Sequence, residues 1–317
     1  MIDMRDAFFD VIYEHAIRNE SIFLVTNDME VHSLKELQHH APDRIINVGV
    51  AEQNMINVAA GLASVGKRVI VFGISSFIAF RAYEQIRMNL CSMNLPVTIV
   101  GLGQGYSFSY DGPTHHGVHD LAVLRTIPEL EILNPGDSSV AAASAVYALE
   151  AKGPLYVRVD KGKYPDLHGD GLTLNSGFAV LRPVQRVTVV ATGALVARAL
   201  RATKKLSERG VEVGLVDAYR IQPFPSRLRP ELQSADLILV AEEGVSSGGL
   251  YSALLEAHQA SSVQIRHLGS GMLGPQKIAY GSREWMLEQE GLGEDSLVAE
   301  IEFINRSFLR GPTGGGE

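Results

Sequence analysis

Residues 44–57, RIINVGVAEQNMIN, set one carboxylate, Glu52, at a strand-to-helix junction. Residues 43–48 read as a short strand, and Ala51 to Gly66 read as a helix with Met55, Val58, Ala59 and Leu62 on one face. An acid in the first helical turn is stabilised as the anion by the helix dipole. Ordinary capping accounts for such a residue when it stands alone. Glu52 does not stand alone.

Other segments along the chain carry chemistry at a related place. ISSFIAFRAYEQIR, residues 74–87, repeats Phe77, Phe80 and Tyr83 at a spacing of three, which makes one aromatic edge over the first turns of a helix. Such a stripe often faces a core. This one follows strand 69–73, at the carboxyl end where parallel α/β folds bind ligands, so a flat heterocycle can stack there. GYSFSYDGPTHHGVHD, residues 105–120, is a glycine- and polar-rich loop holding Asp111, His115, His116, His119 and Asp120. Its spacing does not match a zinc site, and proton transfer or substrate hydrogen bonding suits it better. For each histidine taken singly a structural role stays open. AEEGVSSGGLYSALLEAH, residues 241–258, is a strand end, a glycine turn and a helix start. It offers an anion site at a helix N-terminus, or simply close packing of the turn, which is the plainer reading.

The elements that must position these residues alternate. Strands are expected near 22–26, 69–73, 96–101, 130–133 and 155–159, with helices near 4–19, 51–65, 78–93 and 137–151. That order predicts an α/β fold with a mostly parallel sheet covered by helices. The composition changes across 161–183, a Gly-, Pro- and polar-rich stretch, and the pattern then restarts with strand 187–191, helix 194–208, strands 211–216 and 237–241, helix 248–259 and strand 263–268. The expected organisation is a first domain at 1–165, a linker at 166–185, a smaller α/β domain at 186–310 and a disordered tail at 311–317.

With 317 residues, 46% hydrophobic and 20% charged, the chain has the composition of a globular protein with a large core and, by length, two domains. A net charge of −8 argues against nucleic acid or an anionic membrane as the main partner. One cysteine, Cys91, excludes an intrachain disulfide framework. The apolar run 69–80 is too short to span a bilayer and the N-terminus lacks a signal layout, so a cytoplasmic location is expected.

Residues 43–57, 74–87 and 110–135, followed by GPLYVR, resemble in their order the pyrimidine-binding domain of transketolase and of its relative 1-deoxyxylulose-5-phosphate synthase, and residues 187–305 resemble the transketolase C-terminal domain. The resemblance implies a thiamine diphosphate enzyme that transfers a two-carbon ketol unit. Glu52 matches the glutamate that bonds N1′ of the aminopyrimidine, favouring the 4′-imino tautomer that removes the C2 proton. Phe77, Phe80 and Tyr83 match the aromatic wall around that ring, with Phe80 the stacking partner. Asp111 and His115 match residues on the sugar hydroxyls, with His115 also among the catalytic groups. Lys161 aligns with a phosphate-gripping arginine, and Asp28 with an aspartate near the cofactor interface. Gly169-Asp170-Gly171 with Asn175 looks like the start of the diphosphate–Mg²⁺ motif, but no strand precedes it and the later Asn-Asn is missing. It reads as a decoy.

Two departures from the family pattern shape the expectation. The half that holds diphosphate and Mg²⁺ in full-length transketolases has no counterpart here, so the chain looks like the C-terminal subunit of a split enzyme. It would work with an N-terminal, diphosphate-binding partner in an α2β2 heterotetramer that includes self-dimerisation. In the substrate pocket, Gly103 stands where many transketolases have histidine, and Lys161 is a point charge rather than a planar fork. An unusual sugar or keto-acid donor is therefore a live expectation. The rival readings are the β subunit of a 2-oxo acid dehydrogenase and a non-catalytic stabilising subunit.

Overall fold

Aliphatic and β-branched runs form strands β1 (Ile22–Thr26), β2 (Ile45–Asn47), β3 (Arg68–Ile74), β4 (Val97–Leu102), β5 (Glu131–Leu133) and β6 (Leu155–Val159) in the first half of the chain. The second half supplies β7 (Ala179–Arg182), β8 (Val187–Ala191), β9 (Gly214–Asp217), β10 (Arg220–Gln222), β11 (Leu237–Ala241) and β12 (Gln264–His267). This computed structural model describes residues 2–169, 172, 174–259, 261–269 and 280–309. Asp170 and Gly171 of the GDG triplet and the tail at 311–317 lie outside the described residues. The strands make a seven-stranded sheet ordered β10-β5-β6-β4-β3-β1-β2 and a five-stranded sheet ordered β12-β11-β8-β9-β7. Both are parallel except for the antiparallel pairs β10–β5 and β7–β9.

Strands buried on both faces read as continuous apolar runs. In β3, Val69 and Val71 join one core cluster while Ile70 and Phe72 join the other. One face is covered by helices Met4–Ala16 and Ser138–Glu150, capped at their N-termini by Asp3 and Asp137. The small buried side chains Ala141, Ser144, Ala145 and Ala148 let these two helices approach closely. The opposite face is covered by helix Glu52–Ser64, which buries Met55, Ile56, Ala59 and Ala63. Because the strands run parallel, the loops that leave β1, β2, β3, β4 and β6 gather at one edge, where ligands bind in such sheets.

The structure corrects the helix expected near 78–93. It begins earlier, as Ser75–Arg81, is interrupted at Ala82, and continues through Tyr83–Gln85 into a π-helix at Ile86–Cys91. The π-helix buries both Leu90 and Cys91, four and five residues after the buried Ile86. Residues 179–182, inside the stretch read as linker, form β7. The chain of the second half also supplies β10, which pairs antiparallel with β5 in the first sheet.

The AEEG turn after β11 resolves into packing. Glu242 is buried and accepts hydrogen bonds from the backbone N–H groups of Leu250 and Tyr251, both at 2.8 Å. The protein's own carboxylate thus fills the helix N-terminus. A Cβ on Gly249 would fall 2.1 Å from that carboxylate, which is why the turn is glycine there. Burial raises the Glu242 carboxyl to about 7, against the opposing pull of the two N–H donors and of Arg158 and Arg125. Between the ordinary value of 4.5 and about 7 the folded chain retains a proton that the unfolded chain has released, so this group's contribution to stability falls as pH rises through that window. Glu242→Gln removes the slope. Urea midpoints at pH 5 and pH 7 are expected to show the wild-type stability, relative to the variant, declining by about 1–2 kcal/mol between them.

Candidate active site

Glu52 opens the helix that follows β2, with Ala51 as a cap residue that donates no side-chain bond. Its side chain is 4% exposed although it carries a carboxylate, so it needs donors. Asn27, at the carboxyl end of β1, donates its Nδ2 to Glu52 Oε1 at 3.1 Å, and Arg81 Nη1 lies 3.0 Å from the same oxygen. Arg81 is itself 48% exposed. Beside them a cleft of about 420 Å³ is lined by Val50, Ala51, Glu52, Gln53, Asn54 and Arg81.

The aromatic edge begins next to that carboxylate. The Arg81 guanidinium sits 4.0 Å above the Phe77 ring, and Phe77 meets His115 edge-on with centroids 4.7 Å apart. Glu52, Arg81, Phe77 and His115 therefore form a chain of contacts drawn from the loops after β2, β3 and β4. Phe80 is 50% exposed, with His119 at 6.4 Å between ring centroids. Tyr83 lies beyond the helix break; it packs against the core and shares a 2.7 Å hydroxyl bond with Thr126.

The loop after β4 is closed on itself by reciprocal backbone bonds between Gly105 and Gly117 at 2.9 and 2.8 Å, and it is anchored by Ser75 Oγ to Gly103 O at 2.6 Å and Ser76 Oγ to Thr114 O at 3.0 Å. Thr114 Oγ1 lies 3.0 Å from His115 Nδ1. Asp111 is exposed on the tip. His116 is buried against Tyr106, and burial pushes its imidazole down toward the neutral form; burial does the same to His119. Asp120 separates from this group. It is buried under the sheet edge, 3.0 Å from Arg158 Nε, and accepts the Tyr156 hydroxyl at 2.7 Å. Its part is structural.

Two further expected residues sit apart from this chain of contacts. Asp28 adopts φ 68° on the loop after β1 and exchanges bonds with Asn47, accepting from Nδ2 at 3.3 Å and donating its N–H to Oδ1 at 3.0 Å. It adjoins Asn27 in sequence but is exposed. Lys161 is exposed just past β6, and its ammonium makes no ion pair among the described residues. Asn27 and Arg81 are the participants that sequence patterning does not reach. Arg81 has a usable signal, since it lies four residues after Phe77 on the same helical face. Asn27 has none, because its place depends on the pairing of β1 with β2.

The family model described as the transketolase pyrimidine-binding domain matches residues 1–166, and that of the transketolase C-terminal domain matches residues 177–296. The chain belongs to the transketolase family. It is 31% identical over 259 residues to an apulose-4-phosphate transketolase subunit from Actinobacillus succinogenes, covering 81% of this chain and 83% of that one. It is 32% identical over 272 residues to the 6-deoxy-6-sulfo-D-fructose transketolase subunit SqwH of a Clostridium species, covering 84% of each. Among solved structures it superposes on a split gene transketolase described as an inactive β4 tetramer, with a TM-score of 0.84, 28% identity, and 96% and 98% of the two chains covered. Relatives that are themselves subunits thus align with this transketolase chain over most of their own length.

The Asp120–Arg158–Tyr156 cluster gives a test that separates scaffold from site. Arg158→Met leaves a carboxylate and a phenol buried without their cation. It is expected to lower unfolding stability by about 3–5 kcal/mol. Denaturant titration of the purified chain measures this, and unchanged stability would remove the scaffold assignment.

Proposed function

We propose that this chain is the C-terminal subunit of a split, thiamine diphosphate-dependent transketolase. The carrying observation is the buried Glu52 carboxylate lining a cleft with Arg81, whose guanidinium lies over the Phe77 ring, in a chain aligned with split-subunit relatives. The residues present fit an aminopyrimidine. Glu52, which lines the cleft, supplies a carboxylate for a ring nitrogen and is held in place by Asn27 Nδ2. Phe80 supplies an exposed apolar ring and Phe77 a second on the same helix, with Tyr83 beyond the helix break and Asp28 at the margin. When bound, thiamine diphosphate supplies a carbon nucleophile that accepts and passes on a ketol unit.

This chain's own residues then have distinct tasks. Glu52 holds a proton shared with the ring nitrogen, for which Arg81 must release its oxygen. His115, poised by Phe77 and Thr114, holds or moves a proton at the sugar hydroxyls, and Asp111 orients the donor. Lys161 attracts a terminal anion on the substrate as a mobile point charge. Two relatives are named for apulose-4-phosphate and for 6-deoxy-6-sulfo-D-fructose, both of which carry a terminal anion. We assign this chain a ketose donor of the same kind.

The diphosphate end and Mg²⁺ belong, in this reading, to an N-terminal partner subunit in an α2β2 assembly. The exposure of Val50 (72%), Phe80 (50%) and Tyr110 (73%) supports a partner that closes over the cleft and the loop. No helix of the described residues is long and apolar enough to cross a membrane.

Glu52→Gln, co-purified with the partner, should leave the complex assembled while lowering kcat by about 10²–10⁴-fold, the range for a positioned proton-transfer group. Wild-type turnover in that variant would favour a non-catalytic subunit, and reductive acylation of a lipoyl protein would favour the 2-oxo acid dehydrogenase reading. A second expectation concerns the isolated chain. Calorimetry with thiamine diphosphate and Mg²⁺ should show weak binding that tightens when the partner is added; tight binding by this chain alone would contradict the split site.

A further inference from the structure

The second domain reaches back onto the loop that carries Asp111 and His115. Gly112, at the tip, has φ +81°, and a Cβ built there would lie 2.3 Å from Cε1 and 2.9 Å from the hydroxyl of Tyr280. The tyrosine ring occupies the space that a side chain at this position would need. The base of the loop is held from the same side. Glu243 Oε1 accepts the backbone N–H of Tyr106 at 2.7 Å, and a Cβ on Gly105 would fall 2.0 Å from Glu243 Cγ.

Arg283, close after Tyr280 in the chain, locks this arrangement. Its guanidinium bonds both oxygens of Glu243 at 3.0 and 2.6 Å, Asp160 Oδ2 at 2.6 Å and the carbonyl of Gln104 at 3.3 Å. Burial pushes the Asp160 carboxyl up, and Arg283, Ser107 and Tyr164 together bring it below its ordinary value. The backbone near Tyr280 is thereby tied to the loop's base, while the ring, 63% exposed, rests on the tip.

We propose that Tyr280 is a positioning residue for the substrate loop, through which the C-terminal domain sets how Asp111 and His115 meet the donor sugar. The proposal rests on the function given above. A loop tip turned by a left-handed glycine has backbone freedom to lose when it orders around a substrate. A ring seated on that glycine removes the freedom beforehand. Its loss therefore falls on substrate binding rather than on cofactor activation.

The test compares Tyr280→Ala and Tyr280→Phe with the wild type, each in complex with the partner subunit. Hydrogen exchange of the amides at 106–116 is read first, because it needs no turnover. Tyr280→Ala should exchange there about tenfold faster, the equivalent of ordering one residue's backbone. Tyr280→Phe keeps the ring and should match the wild type, and the thermal midpoints of all three should agree. With fructose 6-phosphate as donor, Tyr280→Ala should raise KM several-fold at nearly constant kcat, with the half-saturating thiamine diphosphate concentration unchanged. Wild-type exchange in Tyr280→Ala, or a Phe variant that behaves like the Ala variant, overturns the proposal. If the wild-type complex transfers no ketol unit, the proposed function falls instead, and the exchange comparison still decides the loop.

Discussion

A carboxylate taken out of water must be given donors, and this molecule is organised around meeting that demand repeatedly. Glu52, Asp120, Asp160, Asp217, Glu242 and Glu243 are each nearly inaccessible to solvent. Their donors come from other elements: Asn27 and Arg81 for Glu52, Arg158 and Tyr156 for Asp120, Arg283 for both Asp160 and Glu243, and His168 for Asp217 at 3.0 Å. Each pairing stitches one loop or strand end to another. Arg283, on Asp160, carries one of these links between the first sheet and the second domain, beside an apolar cluster that both halves share. Removing one partner alone leaves a bare charge inside, so the stitches carry large local consequences.

Glu52 is the member of this set with a difference. Its cation, Arg81, stands half in solvent, whereas Arg158 is fully buried and Arg283 is only 19% exposed. A half-exposed guanidinium gives up less when it turns to water. On the proposed function, that would let the Glu52 oxygen exchange an internal partner for a ligand, while Asp120 and Asp160 keep their buried or mostly buried cations.

Most of the first domain is legible in the sequence because parallel strands buried on both faces leave a strong apolar signal. β1 and β6 fall at their expected bounds, and β3, β4 and β5 within a residue or two. Of the motif residues, Glu52, Phe77 and His115 are joined in one chain of contacts through Arg81. What is not legible depends on contacts distant in sequence. The break at Ala82 and the π-helix after it leave no mark in an apolar pattern that fits an ordinary helical period. In the sequence Asp120 is one more polar loop residue; Arg158, from a strand 38 positions later, makes it part of the scaffold. Tyr280 and Arg283 belong to no motif, and only the way the domains meet gives them meaning. β7 and β10 are short strands whose existence depends on the neighbours they pair with.

β10 has a consequence for inheritance. It is encoded beyond the domain junction, yet it seals the outer edge of the first sheet by pairing with β5. A gene cut between the domains would leave β5 as a bare edge, open to pairing with other chains. The first sheet is therefore complete only while the strand from the second half stays held against it.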